Sequence, residues 1–153
     1  MGMIKRESVK AALHGPNREF AYGNDAYFCP INEEWGFKYF EQKEICEITY
    51  EAQKKAHEFG LAPAVGLRYN MRDKFGDLVY GYITESIVEL GGERYGQFGE
   101  YDVESNWWQY DDAKQLLYGL RKLFNRHWFD FHQDNCGWLK NGQLVCIDFS
   151  ICV

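Results

Sequence analysis

Residues 129–150 read FDFHQDNCGWLKNGQLVCIDFS, the densest cluster of potential metal ligands and bases in the chain. The dipeptide Asn141-Gly142 is a strong hairpin signal, and it separates two short apolar runs typical of β-strands. Because a hairpin returns the chain near its start, we expect Asp148 to lie close to Asn135. Two oxygen ligands placed together suit Mg²⁺, which takes few protein ligands and completes its shell with phosphate and water.

Outward from this hairpin, the sequence predicts an antiparallel α+β domain. Apolar alternation and turn residues predict strands, and apolar stripes at helical spacing predict helices. Strands are predicted within 19–30, at 35–40, 63–70 and 77–85, and helices at 1–14, at 43–59 and from Asp111 or Asp112 to about His127. The apolar stripe predicted for the second helix consists of Ile45, Ile48, Ala52, Ala56 and Phe59.

Composition limits the class of protein. The 153 residues are enough for a single domain over 1–153, and 46% apolar content argues against disorder. No apolar run approaches the roughly 20 residues that a membrane helix needs. The N-terminal stretch MGMIKRESVK has no apolar core typical of a secretory signal. We therefore expect a cytoplasmic protein without membrane contact, whose cysteines are free thiols.

The net charge of −6 is concentrated in one segment. Gly81 to Asp112 contains eight acidic residues and one basic residue, a net charge of −7, so the rest of the chain is almost neutral. This distribution argues against nucleic-acid binding by a broad basic face. The acidic segment 85–112 is either a solvated loop or a docking face for a protein partner or cationic substrate.

The stretch D-F-H-Q-D-N followed by L-V-C-I-D-F-S resembles the catalytic loop and metal-binding motif of the kinase-like phosphotransferases. It is most similar to the form found in aminoglycoside kinases, choline kinases and RIO-type kinases. The resemblance implies a protein-kinase-like fold that binds ATP and Mg²⁺. It also implies that Asp130 is the catalytic aspartate, that His132 is the histidine of the motif, and that Asn135 and Asp148 are the Mg²⁺ ligands.

The N-terminal half offers matching positions in the right order. By the resemblance, Lys38 in the strand GFKYF would hold nucleotide phosphates, and a glutamate on the next helix would pair with it. Glu51 fits the usual spacing best, and Glu47 is second. The stretch YGYITESIVEL resembles the strand that leads to the adenine-binding hinge, with Thr84 before the hinge residue Glu85.

The resemblance implies an uneven pair of lobes. Residues 19–85 would form an N-lobe with an antiparallel sheet and one helix. The stretch FAYGNDAYF would cover the phosphates with one glycine, Gly23. The chain ends five residues after Asp148, where the family continues with substrate-binding helices. Residues 86–153 would then form a much reduced C-lobe of one helix, the catalytic loop and the hairpin.

Three functions are consistent with these residues. The first is an ATP-dependent phosphotransferase with an unidentified acceptor. The second is a pseudokinase that binds a partner without catalysis. The third is a metal-dependent phosphoesterase that uses His127, Asp130, His132 and Asp148. A reduced C-lobe would also expose apolar surface, which a homodimer could cover.

Overall fold

The computed structural model describes residues 4–16, 20–21, 26–95, 110–125 and 133–149. Helices within these ranges are α1 (Arg6–His14), α2 (Lys43–Glu58), α3 (Gly91–Tyr95) and α4 (Asp111–Phe124), with a 3₁₀ turn at Gln133–Asn135. The strands are β1 (Phe20–Ala21), β2 (Tyr27–Pro30), β3 (Trp35–Phe40), β4 (Val65–Arg72), β5 (Leu78–Glu85), β6 (Glu89–Leu90), β7 (Cys136–Trp138) and β8 (Leu144–Cys146). The coarse prediction of an α+β fold with an antiparallel sheet is confirmed.

The strands form two antiparallel sheets. The larger has the order β1-β2-β3-β5-β4, and the smaller has the order β6-β7-β8. In the larger sheet Lys38 pairs with Tyr82, so the predicted phosphate-binding strand lies beside the strand that leads to the predicted hinge. Lys38 and Tyr82 therefore project from the same face of the sheet.

Both faces of the larger sheet are buried. One face, with Phe37 and Ile83, packs against Val9 and Leu13 of α1. The opposite face packs against α2 and against the β7–β8 hairpin in a cluster drawn from both halves of the chain. That cluster contains Ala26, Phe28, Phe40, Cys46, Tyr82, Leu139, Val145 and Ile147. The hairpin is thus part of the core and is held against the sheet by apolar burial.

Helix α2 lies over the sheet in a different rotation from the one predicted. Its buried residues are Cys46, Thr49, Ala52, Gln53 and Ala56. The predicted stripe is therefore wrong in part, since Ile48 and Phe59 are exposed. None of the helices within the described ranges is long and apolar enough to cross a membrane.

Candidate functional site

The β7–β8 hairpin brings Asp148 back beside Asn135. Asn141 and Gly142 make the turn, in which Gly142 has a φ of 88°, a conformation that glycine adopts without strain. At the open end, the Ile147 N–H donates a 2.9 Å hydrogen bond to the Asn135 carbonyl. Asn135 and the residue before Asp148 are therefore direct neighbours, as the sequence predicted, while their role as metal ligands stays a prediction.

Lys38 reaches this hairpin from the larger sheet. Its side chain is only 1% exposed, and Nζ donates a 2.9 Å hydrogen bond to the Ile147 carbonyl. The rings of Phe40 and Tyr82 lie 5.9 and 6.0 Å from Nζ, at the outer range of a cation–π contact. The predicted phosphate-binding lysine thus contacts the predicted metal-binding hairpin in the protein interior.

The surroundings of the Lys38 ammonium are unusual for a lysine, because they shift its pKa. Burial lowers the pKa of Lys38 from 10.5 to about 8, because removal from water disfavours the charged form. The half-buried carboxylate of Asp148 opposes this shift, with smaller contributions from the thiols of Cys146 and Cys46. The ammonium of Lys38 therefore lies in the electric field of Asp148, the proposed metal ligand.

The predicted ion pair between Lys38 and Glu51 is not formed. Glu51 is exposed on α2, and the contacts of these two described residues include no hydrogen bond or ion pair between them. The reason is the rotation of the helix. Gln53 faces the sheet, and a residue two positions earlier points about 200° away around the helix. Glu47, the second choice, is exposed as well.

Gln53 occupies the inward position instead, and the sequence analysis missed it. Its Oε1 accepts a 2.7 Å hydrogen bond from the Tyr82 hydroxyl, and its Nε2 donates to Thr84 Oγ1 at 2.7 Å. The same Nε2 lies 3.1 Å from the Pro63 carbonyl, which accepts a further hydrogen bond. The available signal was the position of Gln53, one residue after Ala52 and three before Ala56, on the face that these alanines share. A polar residue buried on such a face requires hydrogen-bond partners.

The predicted hinge is closely tied to its surroundings. The Glu85 N–H donates to the Ala64 carbonyl at 2.9 Å, and the Ala64 N–H donates to Glu85 Oε1 at 3.2 Å. Ser86 and Val88 also use their N–H groups, with the carbonyls of Glu34 and Trp138 as acceptors. The main-chain N–H of Glu85 is thus engaged within the protein, and the nucleotide-binding role of Thr84 and Glu85 stays a prediction.

One N–H in this segment differs from its neighbours. Within the described part of the chain, the N–H of Ile87 forms no hydrogen bond, while those of Glu85, Ser86 and Val88 all do. The Ile87 N–H is therefore the one main-chain donor from Glu85 to Val88 that the described part of the protein leaves without an acceptor.

Gly23, Asp130 and His132 lie outside the described residues, as does His127. Among the residues that are described, no group of three or more His, Cys, Asp and Glu side chains is arranged to hold a metal ion. The Asn135–Asp148 pair offers one amide and one carboxylate, which is fewer than three potential metal-binding side chains.

The chain was also compared with known proteins. No family model and no curated protein matches it.

Proposed function

We propose that this chain binds Mg·ATP where Lys38 meets the β7–β8 hairpin, as a minimal kinase-like protein that transfers phosphate to an acceptor. The observation that carries the proposal is the 2.9 Å hydrogen bond from Lys38 Nζ to the Ile147 carbonyl. It joins two motifs 109 residues apart, and the resemblance to kinase-like phosphotransferases assigns both to one nucleotide site.

The burial of Lys38 supports a functional role over a structural one. A pKa that is lowered from 10.5 to about 8 corresponds to roughly 3 kcal/mol of destabilisation while the lysine is charged. An apolar side chain in the same space would avoid that penalty. Titratable groups kept in unfavourable surroundings beside an opposite charge are typical of functional sites.

The donor set at the hairpin fits Mg²⁺. Asn135 and Asp148 offer oxygen atoms, the ligands that this hard cation prefers, and they come from chain segments joined by the Ile147–Asn135 hydrogen bond. When bound, the ion would neutralise charge on the phosphates. The ammonium of Lys38 has three N–H donors, and the Ile147 carbonyl takes one of them.

Two further roles rest on the resemblance alone. Asp130 would accept a hydrogen bond from the acceptor hydroxyl and orient it, and His132 would support the loop that carries Asp130. Thr84 and Glu85 would border the adenine.

Calorimetric titration with Mg·ATP tests the proposal. We expect binding that requires Mg²⁺ and that weakens at least about tenfold in Asp148→Asn and in Lys38→Met. Asp77→Asn is the matched control, since Asp77 is an exposed aspartate in the β4–β5 turn. Absence of any heat or thermal shift with Mg·ATP, for the folded wild-type protein, would refute the proposal.

A second function is favoured by one observation, the missing ion pair between Lys38 and Glu51. Kinases of this type need that pair for catalysis, so a chain without it fits a pseudokinase that binds a protein partner through the acidic segment 85–112. Partner binding that survives both Asp130→Ala and Asp148→Ala, together with no phosphate transfer, would establish this alternative.

A further inference from the structure

Gln53 is a buried amide that joins three parts of the fold. It lies on α2 with 1% of its surface exposed, and it bonds to β5 and to the loop that precedes β4. A buried amide needs partners for both its oxygen and its nitrogen, and Gln53 has them on both sides.

One side of the amide leads to the lysine. Gln53 Oε1 holds the Tyr82 hydroxyl at 2.7 Å, and Tyr82 is the cross-strand partner of Lys38. The Tyr82 ring lies 6.0 Å from Lys38 Nζ, and Tyr50 packs edge-on against it. Because Gln53 fixes the hydroxyl end of the Tyr82 ring, this ring holds one position beside the ammonium of Lys38.

The other side of the amide leads to the end of β5. Gln53 Nε2 donates to Thr84 Oγ1 and to the Pro63 carbonyl. The residues that follow, Glu85 and Ala64, are joined by two hydrogen bonds of their own. The amide therefore fixes the segment from which the predicted hinge begins.

We propose that Gln53 is a positioning residue that fixes both ends of the nucleotide site, the lysine end through Tyr82 and the hinge end through Thr84. The assignment of these two ends rests on the proposed function. The contacts themselves do not, and they can be tested in the protein without nucleotide.

The chemistry explains why the residue is a glutamine. Tyr82 donates its hydroxyl proton, so it needs an acceptor, whereas the Pro63 carbonyl needs a donor. A glutamate would present an oxygen to the Pro63 carbonyl, and a leucine or methionine would remove the buried hydrogen bonds to the Tyr82 hydroxyl, Thr84 Oγ1 and the Pro63 carbonyl. An amide satisfies both requirements with one side chain.

The test measures how well Lys38 is shielded. Acetylation of each lysine by a small amine-reactive ester at fixed pH is followed by peptide mass spectrometry. We expect Lys38 to be acetylated about tenfold faster in Gln53→Met and in Tyr82→Phe, because local opening becomes more frequent. The double variant should be no faster than either single variant if Gln53 acts through Tyr82.

Two control variants and one further measurement separate positioning from general loss of stability. Leu13→Ala destabilises the opposite face of the sheet, so at matched unfolding free energy it should leave the Lys38 rate unchanged. Thr84→Val removes the hydrogen bond from Gln53 Nε2 to Thr84 Oγ1, keeps the one to the Pro63 carbonyl, and should also leave the Lys38 rate unchanged. Hydrogen exchange at the Glu85 amide should accelerate in Gln53→Met and Thr84→Val, with no change in Tyr82→Phe.

Two results would overturn the proposal. The first is that Lys38 is acetylated in folded Gln53→Met at the wild-type rate. The second is that Lys38 is acetylated at the wild-type rate in Tyr82→Phe, and this variant replaces Gln53→Met as the test if Gln53→Met does not fold. Titration with Mg·ATP and with adenosine is a separate arm. Failure of wild-type protein to bind either ligand refutes the proposed function, while the acetylation rates still decide the role of Gln53.

Discussion

The ammonium of Lys38 lies 2.9 Å from the carbonyl oxygen of Ile147, and this bond links the larger sheet to the hairpin that carries Asp148. The bond is buried beside the rings of Phe40 and Tyr82, where little water competes for the donor. It makes the centre of β3 and the end of the hairpin one structural unit.

Replacement of Lys38 by methionine should alter the pH dependence of stability in a defined direction. The folded pKa, about 8, is below the unfolded value of 10.5, so the unfolded chain binds more protons between these two values. The charged lysine therefore destabilises the folded state below pH 8, and this penalty disappears as the pH approaches 10.5.

The measurement is the unfolding free energy of wild type minus that of Lys38→Met, from urea titrations at several pH values. We expect the difference to rise by about 3 kcal/mol from pH 7 to pH 10.5. A difference that is flat or that falls over this range would show that burial does not dominate the environment of Lys38.

The two turn glycines offer a matched pair of substitutions. Gly142 and Gly76 have φ values of 88° and 87°, and an added Cβ at either position meets no atom within 4 Å. Alanine at either position should therefore cost about 1 kcal/mol of stability from backbone strain alone. Only Gly142 lies in the hairpin that positions Asp148.

We expect Gly142→Ala to weaken Mg·ATP binding several-fold and Gly76→Ala to leave it unchanged, at similar losses of thermal stability. Equal effects on binding would show that the hairpin turn has no special relation to the site. Differential scanning fluorimetry with and without Mg·ATP measures both quantities in one experiment.

Substitution of Glu51 should have little effect on nucleotide affinity. Its side chain is exposed and forms no pair with Lys38, so Glu51→Gln is expected to change the dissociation constant for Mg·ATP less than twofold. A loss of tenfold or more would mean that nucleotide binding rotates α2 to bring Glu51 inward. Glu58→Gln at the end of the same helix is the matched control.

The buried thiols should be almost inert in the folded protein. Burial raises the pKa of Cys46 to about 11 and raises that of Cys136 well above its usual range. The thiolate is the reactive form, so alkylation at pH 8 should be at least about a hundredfold slower than for an unfolded control. Peptide mass spectrometry after timed iodoacetamide treatment measures each site, and rapid labelling of Cys136 would contradict the described packing.

Local chemistry determined which parts of the site could be predicted from the sequence. The turn at Asn141-Gly142 depends on two adjacent residues, so the return of the chain to Asn135 followed from the sequence. The inward face of α2 depends on what packs against it. Since the apolar Ile48 is exposed and the polar Gln53 is buried, counting apolar residues placed Glu51 wrongly.

The distance along the chain between Lys38 and Ile147 has a consequence for biosynthesis. During translation β3, α2 and β5 leave the ribosome before the hairpin, so the part of the lysine face that the hairpin covers stays exposed until β8 has been made. Contacts between segments so far apart form slowly, because a long loop must close first. Until β8 docks, the nascent sheet therefore exposes to chaperones and proteases those apolar residues that the hairpin later covers.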